Sequence, residues 1–127
     1  NYPYMVVDNE AGMEHISRGI LPKVDTIILV SDCSRRGVQA VGRIRSLIDE
    51  CNMKPSKIGL IVNRAPGGKL NQGTLEEIEN QHLDLLGVIP QDDSVYEFDC
   101  DGKPIIQLPA DSPVRKALYS VLDGMSL

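Results

Sequence analysis

Two runs constrain this chain more than anything else in it. "DTIILVSD" from Asp25 to Asp32 and "KIGLIVN" from Lys57 to Asn63 are continuously apolar through their middles, without the alternation of a strand that faces water on one side. Such strands are covered on both faces, as in parallel sheets layered between helices. Parallel neighbours need a long crossover, and the stretch between the two runs supplies one. "RRGVQAVGRIRSLIDECN" sets Val38, Val41, Ile44, Leu47 and Ile48 on one helical stripe with charged residues opposite.

The same alternation extends in both directions. Tyr4–Asp8 reads as a preceding strand and Leu85–Ile89 as a following one, while Lys103–Pro109 is expected to form an edge segment because its prolines cannot donate to a ladder. "GTLEEIENQHLDLL" reads as a helix with Thr74 as N-cap and Glu77 as its capping-box partner. "DSPVRKALYSVLDG" reads as another, with Ser112 as cap, Pro113 at the first position and Gly124 as the stop. The expected fold class is therefore α/β, a mostly parallel sheet flanked by helices. Ligands of such sheets bind outside the carboxyl ends of the strands, which singles out Asp8, Asp32, Asn63 and the stretch after Ile89.

Composition narrows the function. The length of 127 residues suits one domain, and 42% hydrophobic with 24% charged residues is an ordinary globular balance. A formal net charge of -5 argues against a general nucleic-acid binder, although a single nucleotide needs only a local cradle. No apolar run approaches a spanning helix and no signal segment opens the chain, so neither nucleic acid nor membrane is an expected partner and a cytoplasmic location is expected. Cys33, Cys51 and Cys100 are widely separated and read as reduced thiols, with no metal-ligand spacing. The chain begins without Met directly before an apolar run, and is expected to be part of something longer.

"YMVVDNEAGMEHISRG" carries the densest ionisable chemistry. Asp8 closes a strand, where a carboxylate is placed to hold magnesium through water. Gly12 allows backbone N–H groups close to a terminal phosphate. An acid at a strand end followed by a glycine is how nucleotide hydrolases sense a γ-phosphate. The competing reading of Asp8 is a simple turn cap. Glu10 with His15 suits proton handling or relay of nucleotide state, and Glu14 and His15 read equally well as a solvated first helical turn.

"DNEAGMEH" resembles the D-x-x-A-G-I-E switch segment of MinD/ParA-like ATPases with a deviant phosphate loop, and "EAGMEHISRG" is similar to the form found in CooC-type maturation factors of carbon monoxide dehydrogenase. "LIVNR" resembles the strand whose Asn meets adenine, and "LGVIPQDDSV" resembles the G-x-I-P-x-D segment beside the base. The resemblance implies a partial P-loop NTPase fold. Asp8 and Gly12 would be catalytic, Glu10, Glu14 and His15 would form the switch, and Asn63, Arg64, Pro90 and Asp92 would bind the cofactor. It further implies ATP or ADP with Mg2+, a nucleotide-dependent homodimer, and carbon monoxide dehydrogenase or a similar metalloenzyme as client, with nickel possible but unliganded by this chain. The family's K-G-G-x-G-K-T loop and C-x-C pair are both expected upstream of Asn1, which makes residues 1–127 the carboxyl-terminal portion of a single ATPase domain.

Other features read more plainly. "APGGKLNQGT" lacks the first glycine of a phosphate loop and has Leu70 at the Ser/Thr position, so a flexible surface connection is expected. Arg18 suits a partner or phosphate contact but fits a helix-dipole role better. Arg35, Arg36, Arg43 and Arg45 read as a solvated face, His82 as a surface residue and Cys33 as an inert thiol near the crevice. Two alternatives accompany the maturation reading. One is a MinD/ParA-like partition or positioning ATPase. The other is a receiver-like signalling domain, suggested by Lys103-Pro104 but lacking its phosphoacceptor, since Asn63 stands there.

Overall fold

The computed structural model describes residues 25–125. Three strands form one parallel sheet in the order β1 (Thr26–Ser31), β2 (Lys57–Ala65), β3 (Leu85–Pro90). Helix α1 (Arg35–Glu50) crosses from β1 to β2, and α2 (Gln72–Asn80) from β2 to β3. Helices α3 (Asp93–Cys100) and α4 (Pro113–Gly124) follow. The mostly parallel sheet flanked by helices matches the sequence reading. Tyr4–Asp8 lies outside the described residues.

The register explains the continuous apolar runs. Leu29 pairs with Leu60, and Ser31 with Val62. On one face Leu29, Leu60 and Val62 pack with Val38, Val41 and Ile48 of α1 and Ile78 of α2. On the other, Ile89 packs with Val114, Val121 and Met125 of the α4 region, joined by Ile61 and Leu86. Each of the buried side chains among these contributes about 1.5–3 kcal/mol, and the partly buried Ile61 and Leu86 contribute less. A register slip between Leu60 and Ile61, which pair with Leu85 and Gly87, leaves Leu86 as an extra residue, so Leu85 serves the first core and Leu86 the second. Gly87 is small for a reason: a Cβ there would lie 2.3 Å from Val121 Cγ2, so α4 is seated directly on the backbone of β3. Ile28 and Val30 on β1 stay exposed, at 40% and 59%, among the described residues.

Helix ends follow a repeated device. α1, α2 and α3 each stop with a left-handed residue, Asn52 (φ 58), His82 (φ 54) and Gly102 (φ 69). In each, the next amide reaches back to the helix: Met53 N to Ile48 O at 3.2 Å, Leu83 N to Ile78 O at 3.2 Å, Lys103 N to Phe98 O at 2.8 Å. This is the Schellman arrangement, which satisfies carbonyls that would otherwise lack partners. His82 is thus exposed, as expected, and also terminates α2.

Four sequence expectations need correction. Lys103–Pro109 is no strand; it contains a 3-10 turn, Ile105–Gln107, closed by Gln107 N donating to Pro104 O at 3.0 Å, because Pro104 and Pro109 lack ladder donors. Asn71, not Thr74, caps α2: its Oδ1 accepts from Thr74 N at 2.8 Å. Glu77 is therefore no capping-box partner. It is buried against α1, accepting from Arg35 Nε at 3.1 Å and Gln81 Nε2 at 3.0 Å. Gly124 is the last residue of α4 but lacks the left-handed backbone of a glycine stop; the cap is Met125, whose side chain packs in the second core.

Candidate functional site

The carboxyl ends of the three strands lie at one end of the sheet, and their side chains are mostly polar. At the tip of β1, Asp32 Oδ1 accepts from Ser34 N at 2.9 Å and Ser34 Oγ at 2.6 Å, while Ser34 Oγ accepts from Gly37 N at 2.9 Å to cap α1. The Ser34 hydroxyl and then its amide hold the Asp32 carboxyl below the usual carboxylate range, with the Arg64 charge adding to them and slight burial opposing. Asp32 therefore stays ionised and faces the cation of the neighbouring strand. The Thr74 hydroxyl donates to Cys33 O at 2.8 Å, which fastens this loop to the start of α2.

At the tip of β2, Asn63 and Arg64 are exposed. Arg64 adopts φ 56, unusual for a residue with a side chain, and its amide donates to Asn63 Oδ1 at 2.9 Å. That bond fixes the Asn63 amide group with its carbonyl oxygen turned to the backbone and its two N–H donors without a protein acceptor among the described residues. β2 then runs into a 3-10 turn, Pro66–Gly68, with Gly67 at φ 64 and Gly68 at φ 70. The Lys69 amide donates to Pro66 O at 3.4 Å, so the glycines form a closed turn and not an open cradle for phosphate.

At the tip of β3, Pro90 is half-buried under that turn; a Cβ on Gly68 would lie 3.7 Å from it. Gln91 N donates to Ala65 O at 2.9 Å, extending the pairing of Ala65 with Pro90 past the end of the sheet. Asp92 caps α3, its Oδ1 accepting from Ser94 N at 2.9 Å, and its Oδ2 accepts from Ser112 Oγ at 3.2 Å.

Of the residues selected from sequence, Asn63 and Arg64 lie near the end of β2, Pro90 ends the neighbouring β3, and Asp92 caps α3 two residues on, all at the same end of the sheet. Asp8, Glu10, Gly12, Glu14, His15 and Arg18 lie outside the described residues. Of the four arginines read as a solvated face, Arg35 joins Glu77 across two helices, and Arg45 pairs with Asp49 at 2.8 Å one turn on. Cys33 is half-buried against the first core. Sequence reasoning missed Ser34, although a serine three residues before Gly37 at the head of an apolar stripe was a readable cap. It also missed Ser112 as a partner of Asp92, for which the sequence holds no signal. Among the described residues, no three His, Cys, Asp or Glu side chains converge as a metal site, and no helix is long and apolar enough to cross a membrane.

Asn63 offers N–H donors at the end of β2, and Asp92, two residues past β3, offers carboxylate acceptors at the same end of the sheet. Residues 4–105 match the CobQ/CobB/MinD/ParA nucleotide binding domain. The chain belongs to this family. It is 32% identical over 127 residues to an uncharacterized ATP-binding protein of Methanocaldococcus jannaschii, covering 97% of this chain and 48% of that protein. It is 31% identical over 113 residues to the septum site-determining protein MinD of Bacillus subtilis, covering 85% and 41%. With the carbon monoxide dehydrogenase accessory protein CooC of Rhodospirillum rubrum it shares 28% over 130 residues, covering 93% and 44%. The fold is similar to that of a ParA family ATPase from Chlorobium tepidum, with a TM-score of 0.69 at 21% identity over 91% of this chain and 46% of that one. The chain spans about half the length of the curated relatives it matches, or somewhat less. Membership of the MinD/ParA family displaces the receiver-like alternative.

Proposed function

We propose that this chain is the base-binding, carboxyl-terminal portion of a MinD/ParA-family ATPase domain, whose phosphate loop lies in sequence upstream. The observation that carries the reading is that Asn63, at the end of β2, and Asp92, two residues past the end of neighbouring β3, each have a side chain oriented by a bond to a backbone amide. In this reading Asn63 donates to ring nitrogens of adenine, Asp92 accepts from the base, and Pro90 under its turn gives the ring an apolar edge. Asp8 and Gly12 would act at the γ-phosphate, with Mg2+ supplying charge neutralisation when bound. Glu10, Glu14 and His15 would transmit the nucleotide state.

As to biological role, the E-A-G-M-E-H segment with Glu10 and His15 favours a CooC-type factor that assists nickel insertion into carbon monoxide dehydrogenase or a similar metalloenzyme, acting as a nucleotide-dependent homodimer. Likeness to CooC along 93% of the chain supports it. The second reading, a MinD-like positioning ATPase, draws on the likeness to MinD.

The test is calorimetric titration with ATP and Mg2+ of the full-length protein and of residues 1–127 alone. Binding is expected in the former and far weaker binding in the latter; equal affinity overturns the upstream phosphate loop. Asn63→Ala in the full-length protein is expected to weaken ATP binding about tenfold, as for loss of a well-placed hydrogen bond. ATP-dependent activation of nickel-free carbon monoxide dehydrogenase separates the maturation role from the positioning role.

A further inference from the structure

Ser112 stands at the N-cap of α4, where a serine hydroxyl ordinarily accepts from an amide of its own helix. It makes no such bond. Its hydroxyl instead donates to Asp92 Oδ2 at 3.2 Å, twenty positions earlier in the chain. The residue is buried, and its backbone is held on both sides: its amide donates to Pro109 O at 2.9 Å and its carbonyl accepts from Lys116 N at 3.0 Å. Asp92 is thus gripped from two directions, Oδ1 by the first turn of α3 and Oδ2 by the start of α4.

We propose that Ser112 is a positioning and specificity-determining residue, fixing the Asp92 carboxylate so that its remaining lone pairs accept from the exocyclic amine of an adenine base. This rests on the base-binding reading above. A carboxylate has about four lone-pair sites, and two are occupied here, which leaves acceptor capacity for an N–H donor of a ligand. With Ser112 removed, Asp92 keeps only the Ser94 amide as an anchor, and its second oxygen is free to rotate about that bond. The start of α4 thereby becomes part of the base-recognition edge although Ser112 itself touches no ligand.

The experiment compares ATP with purine riboside 5′-triphosphate, which has the same ring and phosphates but no exocyclic amine, by calorimetry on full-length wild type, Ser112→Ala and Ser112→Thr. Wild type is expected to prefer ATP. Ser112→Ala is expected to reduce that preference about two- to tenfold, the range for one hydrogen bond, while leaving affinity for the purine riboside triphosphate unchanged. Ser112→Thr, which keeps the hydroxyl, is expected to retain the preference. Equal loss of affinity for both nucleotides in Ser112→Ala means a merely structural role and overturns the proposal. So does a wild type that binds both nucleotides alike, which leaves the Asn63 contact standing. A wild type that binds neither brings down the base-binding reading itself, and the proposal with it.

Discussion

Glu77 is the residue whose role the sequence concealed most thoroughly. Three residues after Thr74 it resembles a capping acid, yet the cap is Asn71 and Glu77 is turned inward to bind Gln81 and Arg35. Gln81 first and Arg35 next hold its carboxyl below the ordinary 4.5. A carboxyl lowered in the folded state adds stability that is present above its unfolded value and disappears as pH falls through the folded one. Glu77→Gln removes that dependence. The stability gap between wild type and the variant is expected to narrow as pH falls from 6 to 3, read by urea denaturation at each pH. The place of Asn63 and of the stretch after Ile89 was legible because strand ends in a parallel sheet gather at one rim, whereas Arg64, Pro90 and Asp92 were singled out by the family resemblance. The orientation of Asn63 was not legible, since it depends on the left-handed backbone of Arg64, which no residue type announces.

Among the elements, β1, β2 and β3 were legible from their uninterrupted apolar residues, and α1 from its stripe. α3 escaped notice because its eight residues include three acids and none is buried, so no apolar stripe marks it; what makes it helical is the Asp92 cap and the Gly102 terminus. The misread strand near Pro104 has the opposite cause: apolar composition without donors. Ser34 ties two elements, capping α1 while anchoring Asp32. Ser34→Ala is expected to cost about 1 kcal/mol in urea denaturation. It should also raise the Asp32 pKa toward the ordinary carboxylate value, visible in an NMR pH titration.

On the scale of the whole molecule, one sheet separates two cores, and Leu60, fully buried, lies at the centre of the first. Leu60→Ala is expected to cost about 2–5 kcal/mol, and Leu118→Ala, at a half-exposed position, under about 1 kcal/mol. Because both cores share β2 and β3, a single cooperative transition is expected by circular dichroism and tyrosine fluorescence alike. The layered α/β plan followed from periodicity, but the division of side chains between the layers did not, since it turns on the extra residue Leu86.

The last helix is fixed to the β3 region at two stations: its cap Ser112 beside Asp92, two residues past the strand, and Val121 over Gly87. Nine residues at helical rise advance about 13 Å, and the five from Gly87 to Asp92, extended at strand rise, at most about 16 Å, so the two intervals are nearly commensurate, with the helix running back along the strand. They work as a vernier: deleting one residue between the stations swings everything beyond it by about 100°, and no sliding restores both matches at once. Length between 112 and 121 is therefore under tighter constraint than the identity of any outward-facing side chain within it.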